Sequence, residues 1–78
     1  MPNTSKTRRP ASALARLRID AHLSTLVAAE NLDIAEGDLS AIEGGTAPAP
    51  TLLLADMARL YHASPHEVVK AYLADRRT

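Results

Sequence analysis

Residues 24–45 read STLVAAENLDIAEGDLSAIEGG, and their apolar positions fall at helical spacing on both sides of a short break. Leu26, Ala29 and Leu32 recur at i, i+3 and i+6, Leu39 and Ile42 at i and i+3, and Ile34 sits between the two sets. Each half predicts a short helix with one apolar stripe. Helices of about nine residues are marginal alone in water, so both must pack on the flanking segments. The stretch predicts two helices joined by a turn inside a small helical bundle.

The flanks supply the rest of such a bundle. Residues 11–22 place Leu14, Leu17 and Ala21 on one helical face, with Arg16 and Asp20 at i,i+4 on the other. Ser24 then stands as the N-cap of the second helix. After Gly44 and Gly45, the string TAPAP marks a loop. Over residues 51–63, Leu52, Leu53, Leu54, Met57, Leu60 and Tyr61 are dense enough for a central helix buried over more than one face. Ser64, Pro65 and Glu67 have the spacing of an N-cap, a first-turn proline and a closing capping-box residue, which predicts a fifth helix to about Asp75. Its Val68, Val69, Tyr72 and Leu73 exceed one packing stripe: they either cover the fourth and first helices or form a homodimer contact. The expected core is Leu14, Leu17, Ala29, Leu32, Ile34, Leu39, Ile42, Leu54, Met57, Tyr61 and Val68.

Leu23-Ser24, Ala29, Leu32, Ile34, Leu39-Ser40, Ile42-Glu43 and Gly45 also fall where the helix-turn-helix of the phage repressor and Cro type (the XRE-like family) has its signature. Upstream, Leu14, Leu17 and Arg18 match that family's first helix; downstream, Leu54, Met57-Ala58, Ser64 and Glu67 match its fourth and fifth. The register holds without gaps over residues 14–68. The resemblance implies an all-α, five-helix lambda-repressor-like bundle over residues 11–78, preceded by a basic arm over residues 1–10. Two positions depart from the pattern: Asp33 stands where a turn glycine is usual and Ala35 where a capping serine is usual. Asp33 and Glu36 have capping-box spacing instead, which predicts a third helix that starts about two residues early. Gly37 inside that helix costs about 1 kcal/mol relative to alanine.

Composition bounds the remaining possibilities. Seventy-eight residues allow one domain with a modest core, and without Phe or Trp that core must be built from Leu, Ile, Val, Ala and Met. There is no cysteine, hence no disulfide frame and no thiolate metal site. No apolar run approaches the about 20 residues that span a bilayer, and no signal-peptide core follows the basic start, so a cytoplasmic protein without membrane contact is expected. Net charge is zero, but its distribution is uneven. Lys6, Arg8, Arg9, Arg16 and Arg18 precede any acid. Residues 19–58 then contain no Lys or Arg, while Asp20, Glu30, Asp33, Glu36, Asp38, Glu43 and Asp56 accumulate. A basic arm leads into an acidic pair of helices.

No catalytic constellation emerges. His62 and His66 straddle the Ser64 cap rather than sharing a helical face, and His22 is the only other imidazole, so neither a metal nor another cofactor is expected. Gly44-Gly45 is too short to cradle a phosphate and suits a helix C-terminus. The chain reads as a binding protein, not an enzyme. By the resemblance, its third helix enters the major groove of DNA, with Ala35, Glu36, Gly37, Asp38 and Ala41 facing the bases and Thr25 on the second helix beside them. Of these, Glu36 and Asp38 accept only from cytosine N4. Phosphate contacts then fall to Lys6, Arg8, Arg9, Arg16 and Arg18, the arm following a minor groove. The alternative keeps the fold and turns the acidic face to a basic protein partner, such as another regulator or a polymerase subunit.

Overall fold

The computed structural model describes residues 11–76, and among them every regular element is a helix. Five form: α1 (Ala13–Asp20), α2 (Thr25–Leu32), α3 (Glu36–Glu43), α4 (Thr51–Leu60) and α5 (Pro65–Asp75). Helices this short do not persist without tertiary support, so each turns a stripe inward. Helix α5 packs on α4 and α1, α2 lies on α3 and α4, and α3 also meets α1 and α5. Leu14, Leu39, Met57 and Val68, one from each helix but α2, are fully buried at the centre. Helix α2 adds Ala28, Ala29 and Leu32. None of the described helices is long and apolar enough to cross a membrane.

The expected core is buried except for Leu17 and Ile34, which pack half-buried at its edge. Three alanines join it unforeseen: Ala28, Ala58 and Ala71 are buried on α2, α4 and α5. One stripe needs correcting. Leu26 is 52% exposed, because α2 rotates so that Ala28, Ala29 and Leu32 face inward. In α4 Leu54, Met57 and Ala58 are inside and Leu53 and Leu60 pack half-buried against the core, so the helix is covered over a wide arc, while Leu52 is 79% exposed.

The serine caps form. Ser12, Ser24 and Ser64 each accept a hydrogen bond from the amide three residues on, at 3.1 Å, and the Glu67 carboxylate accepts in return from the Ser64 amide at 3.0 Å. The capping box expected from Asp33 and Glu36 does not. Asp33 adopts φ 60° at the end of α2, whereas an N-cap needs extended backbone. Helix α3 accordingly starts at Glu36, after Ala35, which supplies no side-chain cap.

Four helices end alike. After α1, α2, α3 and α4 the chain passes through a left-handed residue, namely His22, Asp33, Gly45 and His62. The next amide then donates back to the helix: Leu23 to Arg18, Ile34 to Ala29, Thr46 to Ala41 and Ala63 to Ala58. These are Schellman closures, which satisfy carbonyls the helix leaves open. Helix α4 stops at Leu60, short of the expected residue 63, because His62 leaves the helical region. At Gly45 a second constraint applies: an added Cβ would lie 1.8 Å from the Asp75 carbonyl oxygen. Asp75 also accepts the Ala13 amide at 2.6 Å through Oδ2, and the Ala49 amide donates to the Tyr72 hydroxyl at 3.0 Å. The C-terminal ends of α3 and α5 and the start of α1 thus meet in one place.

Candidate binding surface

Helix α3 turns Leu39, Ile42 and Glu43 inward and leaves Ala35, Glu36, Gly37, Asp38 and Ser40 in solvent. Ala41 is half-buried on the same helix, and Thr25 is half-buried at the start of α2. Glu36 and Asp38 sit in the first turn of α3, where the positive end of the helix dipole favours carboxylates. A Cβ at Gly37 would meet nothing within 4 Å, so glycine there is not demanded by packing. The outward face is thus small, acidic and flat.

The cations lie elsewhere. Lys6, Arg8 and Arg9 of the expected arm fall outside the described residues. Arg16 is exposed on α1 and forms no ion pair with Asp20, the partner that i,i+4 spacing offered it. Arg18 requires correction as a phosphate contact. Its guanidinium turns inward, with Nε donating to Glu43 Oε2 at 2.9 Å and Oε1 at 3.2 Å and Nη1 donating to the Leu23 carbonyl at 2.9 Å. Side-chain exposure is 11% for Arg18 and 6% for Glu43. The Tyr61 hydroxyl completes the group, donating to Glu43 Oε2 at 3.2 Å. Glu43 is therefore a structural carboxylate bridging α1, α3 and the end of α4, not part of a solvated acidic face. Burial first, then the charge and hydrogen bond of Glu43, push the Tyr61 phenol well above its usual range. A sequence signal for this was present: Glu43 is four residues after Leu39, and Arg18 four after Leu14, so each extends a buried stripe.

Towards the other end of α3 lie Asp75 and Arg76. Arg76 packs its backbone against Gly45 and its guanidinium over the Tyr72 ring, 5.3 Å from the centroid. The chain also enters α1 there, since Ala13 is tied to Asp75. Arg59 pairs with Asp56 on α4. The histidines do not cluster: among the described residues no group of three His, Asp or Glu is placed to hold a metal ion. Comparison of the chain with models of known protein families, with curated proteins and with solved structures finds no match.

Proposed function

We propose that the chain is a small DNA-binding transcriptional regulator of the phage repressor and Cro type, a lambda-repressor-like bundle with α2 and α3 as its helix-turn-helix. One observation carries this reading: the outer face of α3 is clear of other helices, and the basic arm enters the fold at the C-terminal end of that same helix. Arm and helix can then address one duplex. Lys6, Arg8, Arg9 and Arg16 neutralise phosphates, and Glu36 and Asp38 accept from exposed cytosine amines. Homodimerisation through α5, with Val69 and Leu73 exposed, belongs to the same reading.

With Arg18 withdrawn, four cations remain, and log affinity should fall against log salt with a slope of about −3.6 per subunit, from ~0.9 per neutralised phosphate. The second reading, an interaction module for a basic protein, is favoured by the exposure of Glu36 and Asp38 within a stretch lacking any Lys or Arg. The double variant Glu36→Gln, Asp38→Asn separates the two. A regulator loses its cytosine preference while its non-specific DNA affinity rises; an interaction module loses its partner and keeps whatever DNA binding the arm supplies. No change in either would sink both assignments of this face.

A further inference from the structure

Beside the outer face of α3 runs a groove between that helix, the following loop and α4, lined by Ile34, Ile42, Pro48 and Leu53, with Asp38 as its one charged residue. Asp33, exposed, precedes Ile34 in the turn. No lysine or arginine occurs in residues 19–58, and Arg59 at the end of α4 pairs with Asp56, so no ion pair on these elements neutralises Asp33, Glu36 or Asp38. An occupant of this groove must bring cations together with some apolar or proline surface. One segment of the chain has that chemistry: residues 1–10, MPNTSKTRRP, carry Lys6, Arg8 and Arg9 with no acid and add Met1, Pro2 and Pro10.

Geometry brings the two within reach. The chain enters α1 beside Asp75, and Gly45 packs on the same residue, two positions before the groove residue Ala47. Helix α3 is about 12 Å long at 1.5 Å per residue. Ten residues reach up to ~33–36 Å. The segment can therefore run from Ala11 along the whole groove to Asp38, and attachment to the same molecule keeps its effective concentration high.

We propose that the basic N-terminal segment is the ligand of the α3–α4 groove in its own molecule, with its cations on Asp33 and Asp38, and that it leaves this site for phosphates when DNA binds. The effect on DNA rests on the DNA-binding reading; the contact does not. Bound in the groove, the segment screens the acidic face and withholds the chain's main phosphate anchors. DNA must compete for them.

The test uses the full chain without DNA. Because the protein has no cysteine, Ser5→Cys takes a single nitroxide label, and paramagnetic loss of amide signal reports where it dwells. The expected loss is concentrated at Ile34, Asp38, Ala47 and Leu53, is relieved by Asp33→Asn with Asp38→Asn, and is relieved equally by Lys6→Gln with Arg8→Gln and Arg9→Gln. Loss spread evenly over the surface, or centred on α5, would overturn the proposal. So would loss that appears in an isotope-labelled, unlabelled-nitroxide chain only when a nitroxide-bearing copy is added, since the occupant would then come from a second molecule. If the contact holds and DNA does not bind, it is the DNA reading that fails.

Discussion

Arg18 and Glu43 show how far a charge on paper is from a charge in space. Both count as ionised surface in composition, yet they pair in the interior and share Tyr61. Such a pair is costly to form, and removing one partner strands a buried charge. The tyrosine gives the group a measurable signature. Its phenol is held neutral in the fold, whereas in the unfolded chain it ionises at about 10. A raised folded value means that the stabilisation is fully present below that pH and drains away as pH rises beyond it. Tyr61→Phe should cost about 1 kcal/mol near neutrality, for one hydrogen bond to a charged group less the hydroxyl's own desolvation. It should also flatten the alkaline loss of stability, which denaturant titrations from neutral to strongly alkaline pH would read directly. An unchanged alkaline slope would mean that Glu43 and burial do not hold the phenol neutral. Among the site residues, exposure of Glu36 and Asp38 followed from helical spacing, whereas the fate of Arg18 did not, because sequence fixes the sign of a side chain and tertiary packing fixes its direction.

Helix starts with a serine cap were legible, and so were the ends at Gly45 and Asp75; the start of α3 and the ends of α1 and α4 were misplaced, for a physical reason. A serine cap acts through its side chain, so Ser24 and Ser64 announce themselves; a Schellman closure acts through the backbone, and only glycine advertises it. Here three of the four left-handed positions hold His22, Asp33 and His62, so Gly45 alone showed itself by residue type, and Asp33 only through the turn glycine that the resemblance places there. The Asp33–Glu36 spacing pointed to a cap for the same reason: spacing carries no φ. The left-handed residues also leave stability unclaimed. A non-glycine residue there bears about 1–2 kcal/mol of strain, partly offset by the freedom glycine restores to the unfolded chain. Replacing His62 by glycine should therefore raise stability by a few tenths to about 1 kcal/mol. Gly37→Ala, at an open helical position, should add about 1 kcal/mol more. Thermal melts of both variants check this, against Gly45→Ala as a strongly destabilised control, since its Cβ would strike the Asp75 backbone. A stabilised Gly45→Ala would mean that the α3–α5 approach is looser than described.

For the whole molecule, helical class and element order could be read from apolar periodicity, but the surplus apolar residues of α5 could not be allotted. They divide: Val68 is buried, while Leu73 is 62% exposed, as is Leu52 on α4 at 79%. The Ala49 amide, just before α4, donates to the Tyr72 hydroxyl near the end of α5, so Leu52 and Leu73 both belong to this end of the pair. Leu52, Val69 and Leu73 together fall short of the about 800 Å² per partner of a standard interface, so a dimer through them must recruit polar surface and remain weak. That has a consequence for the DNA binding proposed above. If two subunits bind together, eight cations rather than four meet phosphates, and the salt slope doubles to about −7. Leu73→Glu should then return the slope to the single-subunit value while leaving the melting temperature nearly unchanged, since the side chain is already mostly in water. Sedimentation of the two proteins over a concentration series supplies the independent reading of mass. A parent chain that stays monomeric at every concentration, with the shallow slope, would leave Val69 and Leu73 as solvent-exposed residues of α5 and rule out the dimer contact, each domain of the proposed regulator then meeting DNA singly.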